Sequence, residues 1–102
     1  MILKMSEIFE GFGFLGARHS AEQVRLRLIE EVERGEKVVL DFEGIGLISH
    51  SFADELFGLL VLYSGNTSYI KENISLKNAK ESIRSMANFV INERQKALRE
   101  PS

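Results

Sequence analysis

No cysteine occurs among the 102 residues. That excludes a disulfide framework and any thiolate metal site, and it suits a reducing, cytoplasmic setting. The single proline is Pro101. With no interior proline to remove an amide donor, helices and strands can run unbroken. Long apolar runs are missing as well. The longest lies within 57–63, far short of a bilayer span, so no membrane segment is expected. The opening Met1-Ile2-Leu3-Lys4-Met5 is too short and too soon charged for a secretion signal. Neither sign of charge dominates: 13 Lys and Arg stand against 15 Asp and Glu, interspersed. The basic footprint of a nucleic-acid binder is therefore lacking. What remains is ordinary globular composition, 44% apolar and 27% charged. The length suits one domain with one core. Residues 1–102 are read as that domain, with a charged, frayed tail over about 95–102.

Periodicity sets out the elements. Ile2 to Phe9 reads as a first strand, followed by a glycine-rich turn or hairpin arm, Gly11-Phe12-Gly13-Phe14-Leu15-Gly16. A helix follows, with Ser20 as N-cap and Gln23 completing a capping box. Its stripe is Val24, Leu28, Ile29 and Val32, and Gly35 takes the left-handed position after its end. Val38 to Phe42 is short and almost wholly apolar, as in a central strand buried on both faces. A second helix spans roughly Phe52 to Ser64. Phe52, Leu56, Leu59, Leu60 and Tyr63 form its inner stripe, with Phe57 and Val61 to one side, so it is apolar over a wide arc. Gly65-Asn66 ends it. Thr67 to Asn73 reads as polar loop with an extended piece at Tyr69-Ile70, and Ile74 to Leu76 as a third strand. Asn78 is expected to cap a last helix carrying Ile83, Met86, Ala87, Val90 and Ile91. Strands and helices alternating in this way imply a mostly parallel sheet with right-handed crossovers. The loops at Gly16 to Ser20 and Gly44 to Ser51 should then meet at one edge.

At those loops the chain resembles a known family. Val39-Leu40-Asp41-Phe42-Glu43-Gly44-Ile45, Ile48, and Ser51-Phe52-Ala53-Asp54-Glu55-Leu56-Phe57 look like the signature of STAS-like domains of unknown function. Ala17-Arg18, Ala21 and Leu28 fit that family's upstream arginine-plus-helix pattern. More distantly, the layout is similar to bacterial anti-sigma factor antagonists. In those proteins an Asp-Ser-Ser-Gly loop precedes a helix, and a partner kinase phosphorylates the first serine. Here that stretch is Ser49-His50-Ser51-Phe52, so the acceptor position is His50. The resemblance implies a small STAS-like α/β domain acting as a non-enzymatic regulatory module for protein–protein interaction. The partner class it implies is a histidine-kinase-like ATPase or another signalling protein, with a homodimer as a further option. The departure at position 50 counts against serine phosphorylation there and leaves Ser49 and Ser51 as acceptors to consider.

Several residues near these loops carry chemistry. Asp41, ending the buried strand, is expected to clamp the next loop by accepting amide N–H bonds. Ser51 is expected to be the second helix's N-cap, with Asp54 as its acidic third residue. An alternative is a small-ligand sensor, with an anion or nucleotide at that helix start near Arg18. His50 and Asp54 stand four apart and could share a helix face for metal or acid–base work. No third ligand is evident, so no metal, cofactor or catalytic residue is expected. An enzyme reading would rest only on Arg18, His50, Asp54 and Glu55. The string from Gly11 to Gly16 has Gly-x-Gly-x-x-Gly spacing but no acidic ribose partner in a following strand; Phe12 and Phe14 are read as packing residues there. Phe57 and Val61 suit either a partner surface or the core. Arg18 is expected to reach Asp54 or Glu55 and hold the two loops together.

Overall fold

The computed structural model describes residues 1–8 and 13–99. Strand β1, Ile2–Lys4, is followed directly by a single helical turn, α1, Met5–Ile8. Strand β2 is Phe14–Leu15 and helix α2 is Arg18–Glu33. Strands β3, Val38–Asp41, and β4, Leu47–Ile48, come next. A continuous helix, α3, then joins an α-helical piece, His50–Ala53, to a π-helical piece, Asp54–Gly58, and a second α-helical piece, Leu59–Ser64. Helix α4 is Ser68–Asn73, strand β5 is Ile74–Lys77 and helix α5 is Glu81–Arg99.

The main sheet has three parallel strands in the order β1-β3-β5. Crossovers that always step the same way put every connecting helix on one face. Burial follows that rule. Leu3, Val38, Leu40 and Ile74 are buried on the helix side, while Ile2 is 52% exposed and its row-mates Val39 and Ser75 are half-buried and exposed. The strand at Val38 is central, as its apolar run implies, but among the described residues its second face is not fully buried: Val39 is half-buried there. A second, two-stranded parallel ladder pairs β2 with β4.

Four local expectations are corrected. The first strand stops at Lys4, because Lys4 pairs with Asp41, the last residue of β3, and no ladder continues beyond it. Met5 turns into the core with no exposed surface; Phe9, Gly11 and Phe12 lie outside the described residues. Helix α2 starts at Arg18, with extended Ala17 at its N-cap and no side-chain cap bond, so Ser20 is inside the first turn. Gln23 meets His19 at 3.1 Å instead of closing a capping box. The segment at 68–73 is helical because the Asn66 carboxamide accepts the Ser68 amide at 2.8 Å, an Asx turn that starts α4. Asn78 caps nothing; it takes the left-handed conformation, φ 56°, and bends the chain out of β5. Gly35 and Gly65 do hold left-handed positions, φ 88° and 87°, after α2 and α3.

Candidate functional site

The loop after β3 meets the residue before β2, and the parallel pairing of β2 with β4 brings the segments that follow those two strands together. The amides of Gly46 and Leu47 donate to the Gly13 carbonyl at 2.7 and 3.2 Å, and the Ser49 amide donates to Leu15 at 2.9 Å. Ser49 is the hinge of this edge. Its hydroxyl donates to the Gly16 carbonyl at 2.9 Å and accepts the Phe52 amide at 3.0 Å. The N-cap of α3 is therefore Ser49, not Ser51, and one hydroxyl joins the loop before α2 to the start of α3. The register of the β2–β4 ladder decides this, since it delivers Ser49 to Gly16.

His50 and Asp54 do not form a pair. The His50 ring lies 3.1 Å from Glu93 and edge-on to Phe89, with centroids 5.8 Å apart. Asp54 turns the other way and is held by both forks of Arg94, at 2.9 Å from Nε and 2.7 Å from Nη2. The α-helical spacing between them holds, since the Asp54 amide donates to the His50 carbonyl; different partners on α5, Glu93 for His50 and Arg94 for Asp54, draw the two side chains apart. Arg18 reaches Asp54 and Glu55, each at 3.4 Å, but stays half exposed. Glu55 is gripped more closely by Arg25, at 2.6 Å, with both side chains largely buried. Arg18 thus joins the network at its rim. Arg94 and Arg25 are the anchors.

The electrostatics follow the contacts. The hydrogen bonds from Arg94 hold the Asp54 carboxyl below its ordinary value against the opposing cost of burial, and Arg18 adds a smaller pull. Asp54 in turn raises Arg94. Asp41 behaves as the expected clamp, accepting the Glu43 amide at 3.0 Å. It also accepts the Asn78 carboxamide at 3.0 Å. These two bonds, Asn78 first, lower its pKa, with Lys77 and Lys4 assisting.

Phe57 and Val61 are core. They are 1% and 0% exposed, and the partner surface considered for them does not exist in this fold. The reason is again the π turn. A four-residue repeat drifts about 40° per step around an α-helix of 3.6 residues per turn. A π turn takes more residues per turn, so Phe52-Ala53, Leu56-Phe57 and Leu60-Val61 stay on one side. The apolar groups left outside are elsewhere. Phe14 and Leu47, paired across the β2–β4 ladder, are 53% and 50% exposed, and Phe89 is 51% exposed. Phe14 therefore does not close the core; strand alternation sends Leu15 in and Phe14 out.

Among the described residues, no group of three or more His, Asp or Glu side chains gathers as a metal site. No helix among them is long and apolar enough to cross a membrane. Comparison with family models matches residues 20–84 to the STAS-like domain of unknown function (DUF4325). The chain belongs to that family. The match takes in β3, β4, α3, α4, β5 and all but the first two residues of α2; β2, Arg18 and Arg94, which complete the edge around Ser49 and Asp54, lie outside it. Neither the curated proteins nor the solved structures give a match.

Two anchors were not picked out from the pattern, though a signal was present. Arg25 is seven residues past Arg18, on the same face of α2. Arg94 continues the row Ile83, Ala87, Val90 at helical spacing. A cation in an apolar row implies an acid partner across the interface.

Proposed function

We propose that this STAS-like domain is a non-enzymatic regulatory module that binds a protein partner in the cytoplasm through the edge formed by β2, β4 and the start of α3. The observation that carries the proposal is the exposed pair Phe14 and Leu47. Neighbouring exposed apolar side chains at a sheet edge favour association. Helix α5 packs against β4 and α3, which brings Phe89 and His50 to the same edge, with Arg18 and its half-exposed guanidinium across the loop. The acids here are engaged by arginines, an arrangement suited to holding loops rather than to moving protons. A histidine-kinase-like ATPase is the partner class that the family resemblance suggests. An anion or nucleotide at the start of α3 is disfavoured, because it would meet a Ser49 hydroxyl already bonded on both sides and the carboxylates of Asp54 and Glu55.

The test is affinity capture from an extract of the source cells, comparing the native chain with the Phe14→Ser/Leu47→Ser double variant. Both substitutions are at exposed positions and should leave the fold intact. One protein retained stoichiometrically by the native chain and lost by the variant supports the proposal. Equal retention by both chains overturns it, as does thermal stabilisation by phosphate or nucleotide with no protein retained.

A further inference from the structure

A second surface lies away from the loop edge, beside β5. The groove there has a volume of about 340 Å³ and runs between β5, α4 and α5. It touches three consecutive strand residues, Ile74, Ser75 and Leu76. Side chains of consecutive strand residues point to opposite faces, so a groove touching all three follows the edge of the strand rather than a face. β5 is the outer strand of its sheet, and among the described residues nothing pairs with its far side. The Leu76 carbonyl faces that side, where Arg84 donates to it at 3.2 Å.

The lining is apolar with a cationic rim. Phe57, Ile70, Ala87 and Ile91 form its walls, and a smaller cavity of about 190 Å³ continues it past Asn92. The charged residues lining the main groove are Lys71 and Arg84, with no acid among the lining side chains. Lys71 is exposed and makes no ion pair among the described residues. Among the described residues the Arg84 guanidinium donates to the carbonyls of Leu76 and Ala79 and meets no carboxylate. Two cations without carboxylates, in a chain whose formal charge is −2, leave a local positive site on an otherwise acidic molecule.

We propose that this groove receives an extended acidic segment of a partner protein. The segment lies along β5, puts apolar side chains between α4 and α5, and sets carboxylates on Lys71 and Arg84. Strand addition at an open edge supplies the backbone register, and alternate side chains supply the selectivity. The loop-edge surface is separate, so either surface can fail without the other.

The test uses the full chain and a labelled synthetic peptide of alternating Val and Glu, followed by fluorescence anisotropy and by amide shifts in NMR spectra. Saturable binding is expected, with shifts centred on Ile74, Leu76 and Ile91. Lys71→Glu, at an exposed position, should weaken it by about tenfold, the size of one lost charge contact, and Asn88→Asp, which sets a carboxylate at an exposed residue lining the groove, should weaken it too by repelling the acidic peptide. The Phe14→Ser/Leu47→Ser variant should bind as the native chain does. No binding overturns the proposal, as does equal binding of the peptide with Lys in place of Glu. Displacement of the peptide by dodecanoate at lower concentration would also overturn it, by assigning the groove to a free apolar acid.

Discussion

Asp54 is the residue on which most of the edge depends. It is 6% exposed and its two oxygens are held by a bidentate arginine from the last helix. Removing one partner of such a pair leaves a charge buried alone, a loss of about 3 kcal/mol or more. Arg94→Ala should therefore destabilise the domain by about that amount in denaturant melts. Arg18→Ala, at the exposed rim, should cost about 1 kcal/mol or less. Equal losses in the two variants would return Arg18 to the organising role expected from its place in the chain. The pH dependence has a definite sign. A carboxyl whose folded pKa is depressed contributes stability that is fully present above the unfolded value, here 3.8. That contribution is lost as pH falls through the lower folded value. Asp54→Asn should thus be much less stable than the native chain at neutral pH and should approach it in acid below the ordinary carboxylate range. A constant gap across that range would mean that the carboxylate is not the source of the stability. Spacing along the chain made the Arg18 contact legible, because two parallel strands must bring their following loops together. The Arg94 contact crosses forty positions and depends on how α5 lies over α3, which no local pattern fixes.

At the scale of one element, α3 explains both a correct and an incorrect expectation. Its apolar residues were visible, and so was their unusual width around the helix. An α-helix of that width needs two buried sides, hence the partner surface weighed against the core for Phe57 and Val61. The π turn removes the need by keeping the whole set on the core side. Gly58 makes room for it. Its backbone is ordinary, φ −60° and ψ −45°, so glycine is not required there for conformation. A β-carbon at Gly58 would instead collide with the Asp54 carboxylate and press on Arg94 Cγ. Gly→Ala inside a helix usually stabilises by about 1 kcal/mol. Gly58→Ala should do the reverse in the native chain, by pushing Asp54 off Arg94, and the loss should shrink or change sign in the Arg94→Ala background. Additive effects would separate Gly58 from the ion pair. Neighbouring charges on the next turn report the same geometry. Val61→Asp should prevent folding, because a lone charge would enter the core, whereas Leu62→Asp, at a position 42% exposed, should melt within about 0.5 kcal/mol of the native chain. A folded Val61→Asp chain would restore the outward surface.

Over the whole molecule, the family-matched segment and the cooperative unit are not the same. The match covers 20–84, and β3, β5 and α3 lie within it. Beyond it lie β1, which forms one edge of the sheet, and most of α5, which carries Arg94. Leu3, Met5, Leu15, Ala87 and Val90 are all buried and all outside the match. Each fully buried large apolar side chain is worth about 1.5–3 kcal/mol. Leu3, Met5, Leu15 and Val90 together therefore approach the whole net stability of a small domain, roughly 5–15 kcal/mol. A fragment of residues 20–84 would also keep Asp54 while losing both Arg94 and Arg18, so its central helix would hold an acid with no base to meet it. It should show no cooperative thermal transition by circular dichroism and poor amide dispersion by NMR. A fragment of residues 1–99 should melt cooperatively, since it keeps every buried residue named above. If the 20–84 fragment melted as one unit, the first strand and last helix would be accessories, and the ion pair across α3 and α5 would lose its structural role.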